Sequence, residues 1–140
     1  MNYIEGVPPL FIDGLEIPSL MPEDKYLKIK EAIAEKAIGK KGDIGKVVDD
    51  AYIAVPTNEG GLGADSLGLV EIIMEVEDIL ETEIPDNQAE VVGRVYHVAH
   101  LYNVREAEIK MPGILDKWLA IRNREIDEYL AQRGKSKRNK

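Results

Sequence analysis

The stretch that most constrains this chain is the apolar run that follows a glycine-rich loop in its middle. Leu69, Ile72, Ile73, Val76 and Leu80 recur at i, i+3, i+4, i+7 and i+11, the spacing of one helix face against a core. Leu67, Val70 and Met74 form a second apolar row, flanked by Glu71, Glu75 and Asp78. A helix apolar on two faces is either deeply buried or docks something. The loop before it holds Gly60, Gly61 and Gly63, and Asp65 is a good N-cap, so the spacing predicts a helix over Ser66–Leu80 with the Ser66 hydroxyl in its first turn. An anion attached to that hydroxyl would sit at the positive end of the helix dipole.

Other segments read as helices arranged around this one. Pro22-Glu23-Asp24 is a helix start with acids in its first turn. Leu27, Ile29, Ile33, Ala34 and Ile38 carry the helix over 23–38, and Gly39 and Gly42, with Lys40 and Lys41 between them, end it. Residues 43–64 form a long connection that Ile44, Val47, Val48, Tyr52, Ile53 and Val55 can anchor on the core. Its Pro56 to Gly63 part is expected to be a mobile loop that delivers Ser66. Pro85 breaks the central helix, Asp86 can cap a short helix over 87–92, and Gly93 separates this from a helix over 95–102. A polar connector is expected at 103–110. A last helix follows over 114–132, with Leu115, Trp118, Leu119, Ile126, Tyr129 and Leu130 on one broad face. Residues 1–22 are extended and punctuated by proline, and 134–140 read as a disordered basic tail. The expected fold class is all-α.

Charge sharpens the picture. Residues 47–93 hold twelve Asp and Glu and no Lys or Arg; with −8 for the whole chain, this leaves +4 elsewhere. Such a single-sign field steers basic partners and repels nucleic acid and anionic membrane, whereas ordinary solvated faces mix signs. There is no cysteine, which removes disulfides and any thiol chemistry borne by the protein itself and suits a reducing cytoplasm. No apolar run approaches the ~20 residues of a membrane span. The proline-interrupted first residues lack a basic region of the kind that opens a signal peptide.

Other chemistries fit less well. His97 and His100 could share a metal, but with two histidines and no cysteine they read as surface or partly buried imidazoles, and no metal is expected. Gly60-Gly61-Leu62-Gly63 lacks the Gly-Lys-Ser/Thr ending of a phosphate-binding loop. Ser66 as a hydrolase nucleophile would need a base, an oxyanion hole and a strand-turn-helix elbow, and the elbow is missing. The Trp118 face reads as intramolecular packing, with a partner as the alternative. The basic tail reads as a solvated terminus.

Residues 24–104 resemble an acyl carrier protein. The densest match is Leu62-Gly63-Ala64-Asp65-Ser66-Leu67, followed by Val70-Glu71, Met74, Thr82-Glu83-Ile84-Pro85-Asp86 and Ala89-Glu90. The resemblance implies a four-helix acyl-carrier-like bundle with a short third helix, here with an added C-terminal helix. It implies 4′-phosphopantetheine, derived from coenzyme A, on Ser66, flanked by Asp65 and Leu67. It also implies a non-enzymatic role as a monomer carrying acyl thioesters between enzymes of fatty-acid, lipid or polyketide-type synthesis. Partners would be a phosphopantetheinyl transferase and acyl-processing enzymes with basic docking patches. These would meet Leu67, Val70, Glu71, Met74, Glu75, Glu77 and Asp78, and Ile73, Val76, Leu80, Ile84 and Val92 would line the acyl pocket. The longer loop before Ser66, the glycine at position 68 where the family usually has a larger residue, and the segments at both ends depart from the family. Gly68 reads as clearing space beside the prosthetic group. The chain thus divides into an extended segment (1–22), a carrier-like domain (23–104), an accessory helix (105–133) and a tail (134–140), and points to a specialised carrier. A peptidyl or aminoacyl carrier, and an unmodified acidic interaction module, are the alternatives.

Overall fold

A computed structural model describes residues 4–39 and 44–138. Helices dominate: α1 (Glu23–Ile33), α2 (Ser66–Leu80), α3 (Asp86–Ala89), α4 (His97–Glu108) and α5 (Ile114–Arg138). A small antiparallel hairpin, β1 (Phe11–Ile12) and β2 (Leu15–Glu16), precedes them, so the fold is mostly helical rather than purely so. Asp13 and Gly14 at its tip have φ of 52° and 78°. That is the geometry a two-residue Asp-Gly turn supplies between twisted strands.

The first helix is shorter than its periodicity suggests. It passes at Ala34–Ile38 into a π-helical turn and stops at Gly39, whose φ of 88° lets its N–H reach the Ala34 carbonyl at 3.0 Å. Tyr26, Ile29, Ala32 and Ile33 are its inward residues, while Leu27 is exposed. Lys40, Lys41 and Gly42 lie outside the described residues.

The loop before α2 is bonded rather than loose. Tyr52 bridges both Gly61 and Arg94. Backbone bonds from Leu62 to Tyr52, Gly63 to Val55, Ala64 to Ile53 and Ile53 to Gly93 run between 2.9 and 3.0 Å. Val47 and Ile53 anchor this region in the core, and Val48 faces solvent. The folded loop sets where α2 begins, and therefore where Ser66 stands.

Two further departures concern α4 and α5. The expected polar connector 103–110 is mostly helix, because α4 runs on to Glu108. Its polar residues are used inward. Asn103 is buried and its Oδ1 accepts from the backbone N–H of Leu20 and Met21 at 2.8 and 2.9 Å; the His100 ring bonds the Pro8 carbonyl at 2.8 Å. Since a carbonyl only accepts, Nε2 of His100 carries the hydrogen. The N-terminal segment is thereby pinned along α4, with Ile4, Ile12, Ile17 and Met21 in the core. Glu108 then caps α5, accepting from the N–H of Gly113 and Leu115 at 3.0 Å, which holds its carboxyl below the usual range.

The helix expected to be accessory shares the core. Trp118 of α5 is 1% exposed and belongs to the same apolar cluster as Ile29, Ile72 and Val98. α4 also crosses the boundary expected after residue 104, and α5 continues through Arg138 into the segment expected to be a tail. Among the described residues, no helix is long and apolar enough to cross a membrane.

Candidate functional site

Ser66 is the first residue of α2, solvent-exposed and capped as the sequence suggests: Asp65 Oδ1 accepts the Gly68 N–H at 2.7 Å. From Ser66 a groove of about 480 Å³ runs between α2 and α3. On the α2 side it is lined by Ser66, Leu69, Val70, Ile73, Met74 and Glu77, and on the other by Ile84, Asp86, Ala89 and Glu90. The α2 residues fall at i, i+3, i+4, i+7, i+8 and i+11 from Ser66, which is the face directly above the serine.

The expected acyl pocket is therefore corrected in part. Ile73 and Ile84 line this groove. Val76 lines instead a small cavity of about 20 Å³ with Leu80, Leu101 and Tyr102. Leu80 stands fourteen residues from the serine, roughly 21 Å along the axis, and lines that same small cavity. Val92 lines a different groove, under α5. Leu69, Asp86, Ala89 and Glu90 line the groove at Ser66 as well. Counting helix phase outward from Ser66 identifies Leu69; Asp86, Ala89 and Glu90, on and just after α3, carry no such signal.

The exposed strip Leu67, Val70 and Met74 is 66%, 55% and 57% accessible. Helical phase places it between the groove and the face bearing Glu71, Glu75 and Asp78. The acids are not equivalent. Glu71 lies 3.3 Å from Lys36 Nζ on the π-helical turn; this hydrogen bond, then the attraction of the same carboxylate, raises the Lys36 pKa above its ordinary value. Glu77 is turned toward the groove wall, its Oε2 accepting the Ile84 N–H at 2.7 Å. Glu75 is half-buried and Asp78 faces solvent.

Gly68 has a different role from the one expected. It is buried, and a Cβ there would approach Asp65 Oδ1 at 3.2 Å and the Lys36 carbonyl at 3.8 Å. The missing side chain leaves room for the Asp65 cap, on the side away from the groove. Asp86 belongs to the groove and makes no cap, because α3 begins at Asp86 itself after Pro85. The floor of α3 is held by Arg105 of α4, which donates to Gln88 Oε1 and Thr82 Oγ1, each at 2.9 Å.

His97 and His100 are both buried and adjacent, yet no group of three or more His, Cys, Asp or Glu that could hold a metal occurs among the described residues. Nδ1 of His97 accepts from the N–H groups of Gly93 and Arg94 at 3.2 and 2.8 Å. Burial first, then Arg122, His100 and Arg94, push its pKa down to about 2. These are neutral structural imidazoles, more deeply buried than the sequence suggests.

No protein-family model matches the chain.

Proposed function

We propose that this protein is a carrier of the acyl carrier class, with 4′-phosphopantetheine esterified to Ser66 and acyl groups travelling on it between separate enzymes. One observation carries the reading: an exposed serine opens α2 at the mouth of a 480 Å³ groove whose walls are largely apolar. The succession of two long helices, a short third and a fourth, α1 to α4, supports it as a four-helix carrier bundle.

The residues fit the group. The free N–H groups of the first turn of α2 and its dipole favour a phosphodiester at Ser66, and Asp65 caps the turn while opposing the anion by local repulsion. Leu69, Ile73, Ile84 and Ala89 offer apolar surface to what the serine carries. The bound group would supply the thiol that a chain without cysteine lacks. Leu67, Val70 and Met74 would give partner enzymes an apolar contact, with Glu75, Asp78 and the half-neutralised Glu71 beside it. Exposed contacts of this kind are individually weak and salt-sensitive, which suits a carrier that must leave each partner.

Incubation with coenzyme A and a phosphopantetheinyl transferase tests this by intact mass. The expected result is a gain of one phosphopantetheine that Ser66→Ala abolishes. No gain with several transferases that load other carriers would overturn the reading.

A further inference from the structure

A second groove, of about 430 Å³, opens under α5. Its walls come from Tyr52 and Ala54 of the loop, from 90–97, and from Ile126, Tyr129 and Leu130 of α5. Leu69 and Glu90 line both this groove and the one at Ser66, so the two meet one helical turn from the serine. Each volume is that of a small-molecule site.

We infer that the α5 groove receives the distal end of a long aliphatic acyl chain carried on Ser66, passing over Leu69; this rests on the carrier reading above. Three of the polar side chains along it, Arg122, Arg94 and His97, are already committed. Arg122 Nε donates to the Val91 carbonyl at 2.9 Å and Nη1 to Glu125 at 2.7 Å. Arg94 donates to the Asp50 carbonyl and the Tyr52 hydroxyl, with its guanidinium 4.2 Å from the Tyr52 ring centroid. His97 Nδ1 is taken by two backbone donors. No buried side-chain polar atom among the described residues lacks a partner. The buried polar groups of the wall therefore offer a polar cargo nothing unsatisfied, whereas Leu69, Ala54, Val92, Ile126 and Leu130 present apolar surface to a hydrocarbon. Each methylene buried favours the docked chain roughly fourfold. A short acyl group stays in the first groove. The helix that roofs the second is the one lying beyond the carrier-like part of the chain, so α5 makes this carrier selective for chain length.

The test loads ¹⁵N-labelled protein from butyryl- and dodecanoyl-coenzyme A with a phosphopantetheinyl transferase, with intact mass confirming each product. The dodecanoyl form is expected to shift the amides of Gly93, Ile126 and Leu130, and the butyryl form to leave them in place. Ala54→Trp, at an exposed rim position, is expected to load equally well and to lose those shifts. A loaded dodecanoyl protein whose shifts stay within Ile73, Ile84 and Ala89 would overturn this inference and leave the carrier reading standing. Equal shifts from both chains would also overturn it. Absence of any mass gain would overturn both.

Discussion

Arg122 Nε donates to the carbonyl of Val91 at 2.9 Å, and the arginine that makes this bond is only 5% exposed. Through it α5 grips the backbone between α3 and α4, where the two grooves meet. Arg122→Leu would strand that carbonyl and lose the bond to Glu125. We expect a loss of about 2–4 kcal/mol in urea unfolding. Glu125→Gln, at the exposed end of the same pair, should cost less than about 1 kcal/mol. Equal losses for the two would show that the exposed ion pair, and not the buried backbone bond, is the stabilising element.

Trp118 makes the same helix part of the core. Trp118→Ala should cost about 3–5 kcal/mol. Truncation after Lys110 should abolish the cooperative thermal transition seen by circular dichroism. A truncated chain that still melts cooperatively near the full-length temperature would restore α5 to an accessory role.

His97 and His100 predict the acid limb of stability. Both pKa values are lowered, chiefly by burial, that of His97 to about 2. In the unfolded chain an imidazole titrates near its ordinary value of about 6.5. Between those values the unfolded state binds protons that the folded state does not, so stability is complete above pH ~6.5 and falls as pH drops. The expected slope is roughly 1.4 kcal/mol per pH unit for His97, and His100 adds to it in the same direction. His97→Gln, which keeps an acceptor for Gly93 and Arg94, should flatten the profile between pH 6 and 5. Urea midpoints at several pH values measure it, and a variant with the same slope as the natural chain would refute the assignment.

The loop that delivers Ser66 depends on Gly61. A Cβ there would collide with the Val55 carbonyl, with backbone on both sides of the clash. Gly61→Ala is expected to destabilise by about 2–3 kcal/mol, since the contact cannot relax by a rotamer change. Gly45→Ala, where a Cβ would meet nothing within 4 Å, should be nearly neutral and serves as the control.

Lys36 already offsets Glu71, so the acids of α2 should differ in how far they steer a basic partner. Glu75→Lys is expected to slow transferase loading roughly tenfold at low salt, and Glu71→Lys by less, with both gaps closing at high salt. Indistinguishable rates for the two variants would show that the Lys36 pairing has no bearing on the docking face.

Helix α2 was legible in full: its period, its Asp65 cap and its exposed strip depend on neighbours within one or two turns, and local chemistry sets them. The hairpin carried a readable sign as well, because Asp13-Gly14 between Phe11-Ile12 and Leu15 is a turn signal, although proline spacing reads as merely extended. The residues of the groove at Ser66 were half legible. Ile73 follows from helix phase, while Val76, Leu80 and Val92 line other cavities, because the elements packed over α2, not apolarity, decide which residues face the groove.

What the sequence determined by itself is the central helix, the place of Ser66 at its start and the one-signed charge of residues 47–93. The tertiary structure decided the rest. Asn103, His100, Arg105 and Arg122 look like surface residues by type, yet each is turned inward to a backbone or side-chain group far away in the chain. A buried polar group is stable only when its partner is in place. Its position is therefore set by long-range packing, which no local pattern records. That is why α4 runs through an expected connector, why α5 belongs to the core, and why the groove at Ser66 has a neighbour.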